Sequence, residues 1–311
     1  MRIIIKRTLA PASVPTANRA VDRSATVSGD ERPVRPQRTL FTRSKRLLAS
    51  PVSEPEAHAP PPESPRHEHH PPPDNTSRKR PGWMSPIYSV TRSVRTDRLE
   101  AERNHCLSPD SPAQDHEHYN FIRSRIRQRI GDAAGTTIMV TSPLPGEGKT
   151  LTAVNLAQAL ARDYEHTVLL VDADLRVQRI HEVMGYASSE GLIDNLLDDR
   201  PLNELMVCPG IEKLTVISGG GSTGESSELL RSTRMRCLVA EMRDRYPDRF
   251  VLFDVPAILS GTDAVSLASS VDHIIVTVRS GISTLPDLHR ALDLLPQDKI
   301  LGVILNGVDN G

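Results

Sequence analysis

Short, uninterrupted apolar runs alternate with stretches of helical spacing along the last two-thirds of the chain. Residues 136–141, 167–171, 213–218, 250–253, 273–278 and 300–305 are rich in Val, Ile, Leu and Phe, and they predict strands buried on both faces. The intervening residues 150–162, 192–197, 226–245, 263–269 and 285–295 predict helices. The first of these carries Leu151, Val154, Leu156, Ala157 and Leu160 as its apolar positions. Strands alternating with helices predict an α/β fold: a three-layer αβα arrangement around a mostly parallel sheet. Its crossovers are expected to be right-handed, with ligands at the carboxyl ends of the strands.

The pattern changes towards the N-terminus. Residues 117–130 still read as a helix, with Phe121/Ile122, Ile126 and Ile130 on one face, arginines on the others, and Gly131 at its end. Such a basic amphipathic helix suits a subunit interface or an acidic surface. Further upstream no period is visible. Residues 1–115 hold 17 of the 25 prolines and, with 19 Lys+Arg against 13 Asp+Glu, carry a net charge of +6, leaving −7 on the remainder. A segment so poor in apolar residues cannot offset its chain entropy by burial. Residues 1–113 are therefore expected to be disordered, with extended stretches at Pro60-Pro61-Pro62 and Pro71-Pro72-Pro73, and residues 114–311 to form one domain. His67-Glu68-His69-His70 reads as a solvated polar tract. Trp83, Ile87, Tyr88, Val90, Val94 and Leu99 are sparse anchors that suggest a docking segment for a partner or for the following domain.

Composition removes several classes of function. The three cysteines lie far apart without metal-ligand spacing, which fits a reducing compartment. No apolar run reaches the roughly 18 residues of a membrane span, and Ile3-Ile4-Ile5 is too short for a secretory signal. The basic charge of the N-terminal segment is spread thinly, so no nucleic-acid partner is expected.

The chemistry concentrates where the first predicted strand ends. Ser142-Pro143-Leu144-Pro145-Gly146-Glu147-Gly148-Lys149-Thr150 reads as a glycine loop opening a helix, the form of a phosphate-binding P-loop. Gly146 and Gly148 let successive N–H groups turn towards an anion, and the helix adds its positive end. Backbone groups from Gly146, Glu147, Gly148, Lys149, Thr150 and Leu151 would hold phosphates, Lys149 would reach the β- and γ-phosphates, and the Thr150 hydroxyl would hold Mg²⁺. Pro143 departs from the strict pattern, which has Gly there. An ordinary strand-loop-helix turn is the bland alternative. Asp172, Asp174 and Asp254 also follow predicted strands at the same end of the sheet. Asp254 suits a Walker B role and Asp172 a metal or proton-accepting role, while Arg176 suits stabilising charge on a transferring phosphoryl group. Each acid alone could be a helix cap.

Asp172-Ala173-Asp174-Leu175-Arg176, following Pro-Gly-Glu-Gly-Lys-Thr, closely resembles the bacterial tyrosine kinases of capsule and exopolysaccharide synthesis, where the element is called Walker A′. Glu228-Leu229-Leu230-Arg231-Ser232 and Asp254-Val255-Pro256 resemble further segments of that family, and Asn306 sits where relatives place an Asn near the adenine. The resemblance covers about residues 115–308 and is strongest to the subgroup of exosortase-linked loci. ParA/MinD-type ATPases share the fold, but their signature Lys is replaced by Leu144.

The resemblance implies Mg²⁺ and ATP as ligands, with Lys149, Asp172, Asp174 and Arg176 as catalytic residues and Thr150, Asp172 and Asp254 at the metal. It also implies transfer to tyrosine and a membrane polysaccharide co-polymerase as partner, which would place the protein in the cytoplasm at the inner membrane. Homo-oligomers are expected in such a family, and a separate substrate protein is a further expected partner. Two departures stand out. No tyrosine follows Tyr246, so the acceptor is expected to be Tyr88 or another protein rather than a tyrosine tail. The family's ring-assembly pattern Glu-x-x-Arg-x-x-Arg reads Glu117, Asn120, Arg123, without its middle Arg. A non-kinase ATP switch is the alternative reading, and a membrane-surface or nucleic-acid adaptor the third.

Overall fold

The computed structural model describes residues 2–4, 91–131, 135–221, 224–245 and 247–307. They carry nine strands: β1 (Arg2–Ile4), β2 (Arg92–Ser93), β3 (Thr136–Thr141), β4 (Thr167–Asp172), β5 (Val207–Cys208), β6 (Leu214–Ile217), β7 (Arg249–Asp254), β8 (His273–Arg279) and β9 (Ile300–Asn306). These form one sheet in the order β1-β9-β8-β3-β7-β4-β6-β5-β2. Only the pairs β1–β9 and β5–β6 are antiparallel. The central strands β3, β7 and β4 lie side by side in parallel.

The helices are α1 (Arg98–Arg103), α2 (Ala113–Ile130), α3 (Lys149–Ala161), α4 (Ile180–Val183), α5 (Leu192–Asp198), α6 (Leu202–Leu205), α7 (Ser226–Arg231), α8 (Thr233–Asp244), α9 (Asp263–Ala268) and α10 (Leu285–Asp293). Because side chains alternate across a strand, each central strand feeds two cores. Val168 and Leu170 of β4 join Phe250 and Leu252 of β7 against Leu156 and Leu160 of α3 and Ile122 and Ile126 of α2. Leu169, Val171, Val251 and Phe253 face the other way, onto Met235, Leu238 and Met242 of α8 and Leu267 of α9. The uninterrupted apolar runs follow from this double burial.

All six predicted strands are present, and they meet their expected ends within a residue or two. Two expectations need correction. The helix expected over 226–245 is two helices, α7 and α8. Ser232 leaves helical geometry, its hydroxyl donates to the Leu229 carbonyl, and it accepts from the Met235 N–H, so it closes one helix and caps the next. The folded domain also starts before residue 114. Val94 N–H pairs with the Cys208 carbonyl, and Asp97 N–H with that of Gly185. Asn155 of α3 accepts from Leu107 N–H and donates to the His105 carbonyl, while Cys106 and Leu107 are buried. Of the suggested docking segment, residues 91–107 thus pack on the domain that follows them. Trp83, Ile87, Tyr88 and Val90 lie outside the described residues, as do the polyproline and His67–His70 stretches. On α2, Tyr119, Ile122 and Ile126 are the buried face, whereas Phe121 stands half exposed under the Arg125 guanidinium. Among the described residues, no helix is long and apolar enough to cross a membrane.

Leu170 is fully buried in the α2/α3 core. Leu170→Ala is expected to lower the unfolding free energy by about 2–5 kcal/mol. Leu285→Ala, at a site 71% exposed, should stay within about 0.5 kcal/mol of the parent protein. Urea denaturation of the two variants checks the difference.

Candidate functional site

The loop between β3 and α3 is shaped by two glycines and braced by one carboxylate. Gly146 and Gly148 have φ of +82° and +85°, angles that favour glycine, and Gly148 caps α3. A Cβ on Gly148 would also run into the Asn306 side chain, whose amide donates to the Glu147 carbonyl. Glu147 is fully buried. Its carboxylate accepts from Leu144 N–H on one oxygen and Arg279 N–H on the other, clamping the loop to the end of β8. The Pro143 carbonyl accepts from Leu259 N–H, and φ at this position is not positive, so the backbone does not require glycine there. The free N–H groups at the start of α3, which include those of Lys149, Thr150 and Leu151, face a loop of the form that binds phosphate.

Strand register brings the acids together. Asp172 ends β4 directly opposite Asp254, which ends β7, and Val140 of β3 pairs with Asp254 on its other side. Lys149 Nζ stands 2.6 Å from Asp174 Oδ2, 3.6 Å from Asp254 Oδ1 and 3.3 Å from the Thr150 hydroxyl. Burial opposes the charge on Lys149, but attraction to Asp254 and Asp174 outweighs it and raises its pKa. Burial, followed by repulsion from Asp254, drives the Asp172 pKa well above the ordinary carboxylate value. Asp254 is raised too, by burial, with Lys149 pulling the other way. The two acids differ in their hydrogen bonds. Asp172 accepts from Asp174 N–H and Ile180 N–H, whereas both Asp254 oxygens are buried without a hydrogen bond of ordinary length, with Lys149 Nζ at 3.6 Å and the Thr150 hydroxyl as the nearby donors.

Orphaned carboxylate oxygens are rare and call for an explanation. Here the Asp254 carboxylate lies beside the Thr150 hydroxyl and the Asp172 carboxylate, a set of hard oxygen donors that fits Mg²⁺. Seven of the predicted site residues, Gly146, Glu147, Gly148, Lys149, Thr150, Leu151 and Asn306, lie on or against the loop, and Asp172, Asp174 and Asp254 gather round Lys149. Arg176 is engaged elsewhere. Its guanidinium bonds Asp263 at 2.8 Å and the Ser227 hydroxyl at 2.6 Å, joining the loop after β4 to α7 and α9. Sequence reading did not identify Asp263 or the Arg279 backbone N–H, because each acts through a partner remote in the chain.

Residues 138–311 match a family described as the CobQ/CobB/MinD/ParA nucleotide binding domain. The tyrosine-protein kinase YwqD of Bacillus subtilis is 32% identical over 208 residues, 66% of this chain and 86% of YwqD. The chain belongs to this nucleotide-binding family, in its bacterial tyrosine-protein kinase branch. The tyrosine-protein kinase etk of Escherichia coli is 30% identical over 205 residues, which are 65% of this chain but only 28% of etk. The chain thus spans about a quarter of that longer relative. In structure it is similar to the kinase domain of Escherichia coli ETK, with a TM-score of 0.59 and 29% identity over 63% of this chain and 77% of that one. It is likewise similar to the chimerical protein CapA2B2, with a TM-score of 0.59 and 28% identity over 71% of this chain and 95% of that one.

Two predictions follow from the charges. Folded Asp172 and Asp254 hold protons more tightly than in the unfolded chain. Their contribution to stability is therefore full below the ordinary value of 3.8 and is lost as pH rises through the raised values. Burial holds His166 and His273 below their ordinary 6.5, so these two oppose folding as pH falls through that value. Asp254→Asn separates the effects. In thermal melts without nucleotide, the variant is expected to melt higher than the parent at neutral pH, with the gap closing as pH falls. Added Mg-ATP is expected to raise the melting temperature of the parent but not of the variant. The second prediction concerns Arg176, whose partner Asp263 is buried. Arg176→Ala is expected to lower unfolding free energy in urea by about 1–3 kcal/mol, because it leaves a buried acceptor unpaired.

Proposed function

We propose that the chain binds ATP with Mg²⁺ in this loop and transfers the γ-phosphoryl group to tyrosine hydroxyls. The observation that carries the reading is the Lys149 ammonium held between Asp174 and Asp254 while both Asp254 oxygens remain without a hydrogen bond of ordinary length. Magnesium would supply charge neutralisation for the phosphates and would be held by Thr150, Asp254 and Asp172. The backbone N–H groups of the loop and of the start of α3 bind and orient the phosphate chain. Lys149 turns from its carboxylates to the β- and γ-phosphates, where it stabilises negative charge in transfer. Asp174 keeps the ammonium nearby. Asp172, at the end of β4 beside Asp254, suits taking the phenolic proton. Asn306, already against the Glu147 carbonyl, lines the approach on the β9 side. Arg176 acts through Asp263 as a positioning residue rather than on the phosphates.

The motif resemblance supports a wider reading in which this activity controls exopolysaccharide or capsule assembly, through a membrane co-polymerase partner that would hold the protein at the inner face of the membrane. The dominant observation remains the nucleotide site, which such a role would use as its switch.

Labelled ATP supplied to the pure protein, with an acidic tyrosine-containing peptide as acceptor, is expected to give peptide phosphotyrosine. Lys149→Ala should reduce it by about a hundredfold or more. Release of free phosphate without any phosphotyrosine would instead identify an ATP-driven switch. Unchanged activity in the Lys149→Ala variant would end the loop's assignment.

A further inference from the structure

We propose that Tyr164 is a phosphoacceptor, modified by the active site of a second copy of this chain; the inference rests on the tyrosine-kinase reading above. The sequence has five tyrosines. Two of the three described ones are withdrawn from solvent. Tyr119 is buried, with its hydroxyl accepting from Asn155, and Tyr186 is buried with its hydroxyl bonded to that of Ser218. Burial pushes both phenols up to about 12. Tyr164 is the opposite case, at 91% exposure.

Its setting is held in place rather than merely exposed. Lys213 Nζ donates to the carbonyls of Asp163 and Tyr164, both at 3.0 Å, and stands 5.6 Å from the Tyr164 ring centroid. Glu165 N–H donates to Asp163 Oδ1. Arg127 of α2 lies 3.6 Å from Asp163 and 3.5 Å from Glu165. The result is a short, braced loop that offers one phenol between two carboxylates. Asp163, Glu165 and His166 are spaced as metal ligands would be. The guanidinium of Arg127 already sits on all three, which leaves the phenol as the group free to react.

Position decides that the reaction is between copies. Tyr164 lies between the C-terminus of α3 and the start of β4, whereas the nucleotide loop opens α3 and Asp172 ends β4. Thirteen residues of helix and six of strand each span about 20 Å. Tyr164 therefore stands at the far end of the sheet from its own P-loop. The surface beside Asp174 suits such an acceptor. Val177, 57% exposed, follows Asp174 and donates its N–H to the Asp174 carboxylate. Arg179, two residues further on, is exposed and pairs with Glu182 at 3.3 Å. Val177 thus offers an apolar contact for the ring beside the carboxylate that holds Lys149. In the step itself the phenolic oxygen forms a bond to the γ-phosphorus of ATP, and the bond from that phosphorus to the β–γ bridging oxygen breaks. ADP leaves with that electron pair, and the phenolic proton passes to a carboxylate of the site and on to water.

The test mixes two full-length variants with labelled Mg-ATP. Lys149→Ala supplies an acceptor that cannot transfer, and Tyr164→Phe supplies the enzyme; the acidic peptide serves as an independent acceptor in parallel. The expected result is label on Tyr164 of the Lys149→Ala chain, lost when that chain also carries Tyr164→Phe, with peptide phosphorylation by the Tyr164→Phe enzyme equal to the parent's. Peptide labelling with the chain's own label on Tyr88 or Tyr246, or on no tyrosine, would overturn the Tyr164 assignment alone. Absence of peptide label and of chain label together would overturn the kinase reading, and the acceptor assignment with it.

Discussion

One ammonium group among three buried carboxylates is the constraint around which this domain is arranged. Lys149, Asp174 and Asp254 form a compact ion cluster at the carboxyl ends of adjacent strands, and Asp172 stands behind them without a charge partner of its own. Isolated buried charges are expensive, so a cluster with three acids and one base is not at rest. The imbalance is visible in the raised proton affinity of Asp172 and Asp254 and in the Asp254 oxygens that lack a hydrogen bond of ordinary length. A divalent cation relieves it in one step. The ammonium can then leave for an anion without stranding the acids. Nucleotide and metal would therefore be linked here by charge balance as well as by shape.

The loop that would receive the anion is rigid for reasons unrelated to glycine flexibility alone. Glu147 spends its carboxylate inside the protein, on the backbone N–H groups of Leu144 and Arg279, and Asn306 reaches across to the Glu147 carbonyl. The ends of β8 and β9 are thereby tied to the phosphate loop. This bracing explains why Pro143 can replace the expected glycine: the turn is set by Gly146 and Gly148 and by the clamp, not by the first position.

How much of this was legible in sequence follows from the range of each interaction. Strands β3, β4 and β7 were readable because burial on both faces writes a continuous apolar run, and the acids at their ends were readable because each directly follows such a run. The short strands β1, β2 and β5 span only two or three residues and leave no pattern. The break at Ser232 was hidden because neither Gly nor Pro marks it: one serine closes α7 and caps α8. Residues 91–113 looked unstructured because their order comes from side chains of another element. Asn155 and Gln158 of α3 bond to the segment around Cys106, and a composition argument cannot register contacts made across some fifty positions. The Arg176–Asp263 pair was missed for the same reason, and the Arg was assigned to the phosphates on motif grounds.

The parallel sheet also separates what the chain does from what can be done to it. Parallel strands gather the ends that carry the acids on one edge and their beginnings on the other. The glycine loop and the clustered acids are at the first edge, and the braced Asp163-Tyr164-Glu165 loop is at the second. A domain built this way cannot fold its own acceptor into its own site without unravelling α3 or β4, whose residues are almost all buried. Any chemistry between the two edges must pass between molecules. Its rate would then report how many copies are close together, which a plain nucleotide site cannot sense.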